Sequence, residues 1–281
     1  MVKRILDWKI FGWLRNILEY LKPMNISIHA AYTSFFLILS VFPALMILFG
    51  VLAYTPFGVV EVLVLLEEVL PAAFMPFARR LLSGAYEHTS GTVLSLSAVT
   101  ALWSASRGMH GLLEGLNAVY GLKEKRNYFL TRSISVLYTF LFVLVLLLTM
   151  VLHVFGTTIL DYLRMTTDPV LLFLMDVIDL RFFLLLFLQI ALFTAIYAVL
   201  PNRRNSIGQS FPGAVLASIG WLTFSDLFSI YVEHFPNYAN IFGSVYAVAL
   251  AMLWLYWCIC IVFYGGALNR FFMERKRRTL S

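Results

Sequence analysis

The sequence predicts an all-α, polytopic membrane fold: six transmembrane helices, short interfacial helices on the outer side, and both termini in the cytoplasm. Three observations lead there. Of 281 residues, 61% are hydrophobic and 13% charged, against about 25% charged in soluble domains. The apolar residues fall in blocks of about 20, the length a helix needs to cross a hydrocarbon core. Basic residues gather in alternate connections, which orients the spans.

Taken in order, residues 1–25 read as an amphipathic cytoplasmic segment carrying Lys3, Arg4, Lys9, Arg15 and Lys22. No small-residue cleavage pattern follows the first apolar run, so the segment does not read as a secretory signal. The membrane domain is expected over 26–269. Its first span runs from Ile26 to Ala53, with Pro43 removing one helical N–H near mid-membrane. From Tyr54 to Ser90 the chain lies outside, divided into short helical pieces by Pro56, Pro71 and Pro76. One of these, Val59–Leu70, is apolar apart from Glu61, Glu67 and Glu68. It is too short to span and rests at the outer interface or caps the bundle. The second span is expected from Thr92 to Leu113 and the third from Ile134 to Phe155. A further short piece, Val170–Leu180 with Asp176 and Asp179, precedes the fourth span, Phe182–Leu200. The fifth, Ser210–Tyr231, carries Gly213, Ala217 and Gly220, a small-residue stripe that admits a neighbouring helix closely. The sixth runs from Ile241 to Leu268, and residues 270–281 form a basic cytoplasmic tail.

The charges assign the sides. Lys123, Lys125, Arg126, Arg132, Arg203, Arg204, Arg270 and the run Arg275-Lys276-Arg277-Arg278 join the N-terminal five on one side. Only Arg79, Arg80, Arg164 and Arg181 fall on the other. Positive charge stays inside, so both termini are cytoplasmic. The net charge of +6 thus answers to topology and to anionic lipid head groups, the expected partners. No aromatic-studded basic fold accompanies it, and nucleic acid is not an expected partner. Cys258 and Cys260, two apart on an apolar helix, point away from each other, so neither a disulfide nor a metal site is implied. Phosphate-cradling glycine loops, Gly-x-Ser-x-Gly and His-Glu-x-x-His are missing from the sequence, and no enzyme or cofactor is expected. A homo-oligomer is compatible with the sequence, which does not define the number of copies.

One helix face breaks the apolar pattern. In the second span Trp103, Arg107, His110, Glu114 and Asn117 recur at intervals of four, three, four and three, along one stripe of a helix. An ionised guanidinium within a bilayer costs at least ~2.5–3.5 kcal/mol, so the stripe is expected to look into the bundle or into a water-filled cleft. With Thr92 as the outer entry, Arg107 lies about 22 Å deeper, in the cytoplasmic half. Asn25, Ser27 and His29 open the first span at that side, Gln209 and Ser210 open the fifth, and Asn269 closes the sixth. Together they suggest a polar recess facing the cytoplasm with Arg107 near its top. Asp226, the one acid deep in the fifth span, is a candidate partner or proton carrier. Two readings of Arg107 stand side by side: a staple bonded to helix-end carbonyls or Glu114, and a receptor for an anionic group such as phosphate. His110 and Glu114 at i and i+4 lack a second pair to complete a metal site.

These stretches resemble the YihY/BrkB family. The signatures are Ala30-Ala31-Tyr32-Thr33-Ser34-Phe35-Phe36 with Leu39-Ser40-Val41-Phe42-Pro43, and Leu102-Trp103-Ser104-Ala105-Ser106-Arg107-Gly108 continuing through Leu116-Asn117-Ala118-Val119-Tyr120-Gly121 to Arg126 and Arg132. Leu200-Pro201-Asn202, Pro212-Gly213-Ala214, Phe242-Gly243-Ser244, Trp254-Leu255-Tyr256 and Gly265 to Asn269 follow in family order. Where the family's closing motif usually carries an acid, this chain has Ala267. The resemblance implies a six-span protein of the bacterial inner membrane. It also brings a ribonuclease label regarded as a misattribution, a serum-resistance label, and a link of one branch to lipid A export.

The expected function is a transporter or flippase of an anionic amphiphile, a lipid or lipid-linked precursor, received at Arg107. Trp103, His110, Glu114, Asn117, His29 and Asp226 are its companion candidates. The alternative is a non-transporting scaffold for envelope assembly, with Arg107 as a helix staple. A ribonuclease is disfavoured, because no soluble segment offers paired acids, a general base or a metal site.

Overall fold

In a hydrocarbon solvent each backbone N–H must be satisfied within its own segment, and a helix does this residue by residue. The computed structural model describes residues 15–54, 58–69, 75–88, 90–123, 133, 180–234 and 244–279, and every regular element among them is helical. After a helical turn over 15–21 and a short 3-10 turn, Lys22–Met24, come α1 (Ile26–Leu52), α2 (Val59–Val69), α3 (Met75–His88) and α4 (Gly91–Tyr120). α5 (Leu180–Val199), α6 (Ile207–His234) and α7 (Ser244–Arg278) complete the set. The expected third span, 134–155, and most of the short piece 170–180 lie outside the described residues.

Among the described residues three helices are long and apolar enough to cross a membrane, over Ile26–Leu52, Ile207–Val232 and Val248–Arg278, with a shorter apolar helix over Leu186–Val199. They correspond to the expected first, fifth, sixth and fourth spans. α4, the expected second span, has 30 residues, about 45 Å at 1.5 Å each. Its serines, Arg107 and His110 leave it less apolar than the others. α7 has 35 residues, about 52 Å, longer than a hydrocarbon core. The expected basic tail is therefore largely the continuation of this helix, which runs unbroken to Arg278.

The helix ends are written locally. Ser90 caps α4, its hydroxyl accepting from the Val93 amide at 3.3 Å. At the other end Gly121 takes φ +66°, while Leu122 N–H donates to Asn117 O at 2.7 Å and Gly121 N–H to Ala118 O at 3.1 Å. That is a Schellman closure, which needs a residue tolerant of the left-handed region. Asn25, at φ 48°, turns the chain into α1 in the same region.

Small residues decide the packing. One face of α4 carries Ser104, Gly108, Gly111 and Gly115, all buried. A Cβ at Gly108 would lie 2.7 Å from Leu37 of α1, and one at Gly111 would lie 2.7 Å from the Thr33 hydroxyl. A Cβ at Gly115 would overlap Phe263 of α7. α1 and α7 thus approach α4 more closely than any side chain would allow. The α6–α7 crossing is as tight: a Cβ at Gly213 would overlap the Gly265 carbonyl, and one at Gly265 would lie 3.0 Å from the Ala217 Cβ. α5 joins through Tyr197, fully buried, whose hydroxyl donates to Val262 O at 2.6 Å. A second, smaller core holds Phe49 of α1 against Val62, Leu82 and Ala85 of α2 and α3, so these short helices cap one end of α1.

At the opposite end the chain's described extremities meet. The Tyr20 ring stands edge-on to Phe271 at 6.2 Å, and the Arg270 guanidinium lies 5.8 Å from the Tyr20 ring. The starts of α1 and α6 and the ends of α4, α5 and α7 share this level.

The α6–α7 crossing generates a test. Gly213→Ala should destabilise the protein by about 1–3 kcal/mol, the usual penalty of overpacking, and lower the melting temperature in detergent. Gly208→Ala, where nothing lies within 4 Å, should leave it unchanged or raise it. Equal melting of the two variants would count against the close approach.

Candidate functional site

The helical period brings Trp103, Arg107, His110 and Glu114 onto one open side of α4. Arg107 and Glu114 are exposed, and His110 is half-buried. His110 Nε2 lies 3.3 Å from Glu114 Oε1, the spacing of an i, i+4 pair. The Arg107 Cζ lies 5.6 Å from the centre of the Trp103 ring, within reach of a cation–π attraction. Trp103 is itself 46% exposed and is backed by Phe36 of α1, edge-on at 5.9 Å. Phe36 meets Tyr32 at 4.9 Å and Phe35 at 5.2 Å. The guanidinium thus rests on an aromatic ladder rather than on a carboxylate, and among the described residues it forms no ion pair. The cation–π contact with Trp103 uses none of the guanidinium N–H groups as hydrogen-bond donors to oxygen, which leaves them for a planar, two-oxygen partner such as phosphate or carboxylate.

Asn117 belongs elsewhere. It is 3% exposed, and its Oδ1 accepts from the Asn202 amide at 2.7 Å. The 3.6-residue period explains the difference: Asn117 sits about 40° off the midline set by Trp103, on the side of buried Ser106 and Leu113. Asn202 in turn donates to Lys123 O at 2.9 Å, tying the end of α4 to the loop after α5.

Of the other members of the expected polar recess, Asn269 and Ser210 are likewise consumed in packing. Asn269 is fully buried; its Oδ1 accepts from Gly213 N–H at 2.7 Å and its Nδ2 donates to Ser210 O at 3.0 Å. The Tyr120 hydroxyl lies 3.5 Å from the same nitrogen. Gln209 is exposed and accepts from the Ser206 amide at 3.3 Å, half of a capping box at the start of α6. Asn25 and Ser27 line an open recess of about 730 Å³ with Arg15, Glu19 and Lys22. Burial pushes the nearby Tyr20 hydroxyl above its ordinary pKa. His29 is half-buried, edge-on to Phe263 at 6.5 Å. Asp226 is exposed on α6, which packs on α5 and α7 rather than on the Arg107 stripe. Among the described residues no three His, Cys, Asp or Glu converge as a metal ion would require.

Sequence reasoning missed the small-residue face of α4 and the aromatic ladder under Arg107. The first was readable: Ser104, Gly108, Gly111 and Gly115 repeat at four, three and four, about 70° round the helix from Arg107. The ladder was not, because it joins α1 to α4. Arg270 was also missed; its Nη1 donates to Val119 O at 2.9 Å and its Nε to Glu274 Oε1 at 2.7 Å.

Comparison with known proteins places this arrangement in a family. The model of the virulence factor BrkB family matches residues 17–281. The chain belongs to the BrkB family. Among its relatives is the ribonuclease-like protein YfkH of Bacillus subtilis, 33% identical over 251 residues, covering 88% of this chain and 90% of YfkH. A UPF0761 membrane protein of Vibrio vulnificus is 22% identical over 272 residues, with 94% of this chain and 83% of the relative covered. Another, from Actinobacillus pleuropneumoniae, is 23% identical over 261 residues, 92% of each chain. No solved structure matches. In this BrkB-family chain the stretches 116–121, 200–202, 212–214 and 265–269, remote in sequence, converge on the buried asparagines at the shared end.

Asn269→Ala removes three polar contacts and strands the Gly213 amide in a buried site. The expected loss is about 2–4 kcal/mol, read as a lower unfolding midpoint in detergent. Asn269→Gln, one methylene longer against the Gly213–Gly265 crossing, should not restore it. A wild-type midpoint for Asn269→Ala would show that the contacts carry little stability.

Proposed function

We propose that this membrane protein moves an anionic amphiphile, a lipid or lipid-linked precursor, across the bacterial inner membrane, with Arg107 receiving the anionic group. The observation that carries the proposal is the state of Arg107: exposed on a long helix, oriented by Trp103, with no acid of the described residues beside it. A guanidinium serving only to staple helices would be spent on carbonyls or a carboxylate, as Arg270 is. One left open on an apolar helix is stabilised when an anion arrives with its own apolar chain. Trp103 orients the guanidinium, and the His110–Glu114 pair next along the stripe supplies a site for a coupling proton. Asn117 and His29 hold the helix from behind, while Asp226 stands apart from them on α6.

The proposal includes six spans, cytoplasmic segments at 1–25 and 270–281, and no enzymatic step. Membrane lipids are the partners, nucleic acid is not, and assembly of several copies is compatible with the mechanism. YfkH is called ribonuclease-like, but a site on a helix of the membrane bundle favours an amphiphile over a soluble polynucleotide.

Flux decides between transport and scaffold. In proteoliposomes with fluorescent phosphatidylglycerol, the wild type should speed movement between leaflets. Arg107→Ala should slow it by about 10- to 100-fold, since charge-assisted bonds of ~1.5–3 kcal/mol are lost, with an unchanged melting temperature. Arg107→Lys keeps the charge but not the fork and should fall between. Wild-type flux in Arg107→Ala would sink the proposal, and a large loss of stability without loss of flux would favour the scaffold.

Topology has a separate check. Cys258 and Cys260 are buried, so single added cysteines report alone. A membrane-impermeant maleimide should label Gly84→Cys in intact cells and Thr279→Cys only after permeabilisation. The reverse pattern would invert the orientation.

A further inference from the structure

The connection after α5 carries Arg203 and Arg204, both exposed. Asn202, beside them, donates its side-chain amide to Lys123 O at 2.9 Å and its backbone N–H to Asn117 Oδ1 at 2.7 Å. These bonds hold Lys123, exposed just past the end of α4, against the two arginines. Three cations thus meet on one edge of the bundle, where they repel one another. Among the described residues no ion pair answers them. The acids of segment 15–21, α4 and α7 are already matched: Glu19 by Arg15, Glu114 by His110 and Glu274 by Arg270. Asp226 lies about 28 Å along α6 from its start.

What lies next to the charges identifies the partner. α6 begins three residues after Arg204, and its first turn is apolar and open. Ile207 is 73% exposed and Phe211, one turn on, 51%. Gly208 shares their side of the helix, and a Cβ there would meet nothing within 4 Å. The three residues form a shallow apolar trough whose floor is backbone. From Ile207 onward α6 is long and apolar enough to cross a membrane, so the trough enters hydrocarbon while the cations stay at its edge. An acidic soluble protein would answer the charges but would have no use for Ile207 and Phe211. Positive charge at the surface, above an open apolar face, complements an anionic lipid standing in its own leaflet.

We propose that Lys123, Arg203 and Arg204 bind the phosphate of a single anionic phospholipid, one acyl chain of which lies across Gly208 beside Ile207 and Phe211. The phosphate relieves the repulsion among the three cations. It also reinforces the Asn202 bonds that hold the connections after α4 and α5 together. This site shares no residue with the Arg107 stripe and does not depend on transport.

Photolabelling of the full-length protein in phosphatidylcholine vesicles tests it. The probe is phosphatidylglycerol with a diazirine in one acyl chain, and label is read by peptide mapping at residues 207–211. Labelling of the wild type should saturate, whereas a phosphatidylcholine probe with the same chains should label only in proportion to its amount. Arg203→Gln should raise the half-saturating amount about fivefold, and Arg203→Gln with Arg204→Gln about 25-fold, about fivefold for each charge at the surface. Gly208→Leu, which fills the trough from an exposed position, should raise it as well, and inorganic phosphate should not compete. Arg107→Ala should keep the wild-type half-saturation, which separates failure here from failure of the transport reading. The proposal falls if the double variant binds as the wild type does, or if the phosphatidylcholine probe saturates equally. Competition by inorganic phosphate would make this a free-anion site and overturn it. An unchanged Gly208→Leu would leave charge as the whole of the recognition, as an acidic soluble protein would use it, and overturn it too.

Discussion

Gly213 donates its backbone N–H to a side chain of another helix, and much of the bundle is arranged around that bond. Pro212, inside α6, has no N–H to give and its ring crowds the preceding turn. Beside Pro212, Asn269 accepts from Gly213 N–H and donates to Ser210 O. An amide side chain suits the task because it offers donor and acceptor together, without a charge to bury. The bond requires α6 and α7 to touch, which only Gly213 and Gly265 permit. Tyr197, Asn117 and Arg270 then fasten α5, the loop after it and the end of α4 to the same node.

This rigidity shapes the candidate site. α4 is pinned on its glycine face by α1 and α7 and at its end by Asn117. The neighbouring Arg107 stripe is therefore presented at a fixed angle, with Trp103 held by Phe36. A site on a rigid helix can hold a guanidinium in one orientation, which two-oxygen recognition needs. The division of labour among polar groups is clear: asparagines satisfy backbone groups inside, while Arg107 and Glu114 stay open.

Much of the site chemistry was legible as composition but not as placement. Periodicity alone put Trp103, Arg107, His110 and Glu114 on one face, and the structure has them there. The same periodicity included Asn117, and a deviation of about 40° was enough to turn it into the core. Asn269 and Ser210 looked like the lining of a recess because polar residues near a membrane surface usually meet water. Here they meet each other, since the glycines beside them bring two backbones into contact.

By itself the sequence determined the solvent and the helical nature of the described segments, while the expected ends at Leu113 and Leu268 fall short of the observed Tyr120 and Arg278. Apolar runs of span length, a serine cap, a glycine closing α4 and a proline within α6 are local facts, each acting within a few residues. The tertiary structure decided which polar groups are spent and which remain open. Hydrogen bonds between helices link positions tens of residues apart, such as Asn117 with Asn202 and Gly213 with Asn269. No local pattern specifies that pairing, because it exists only once close packing has chosen the neighbours.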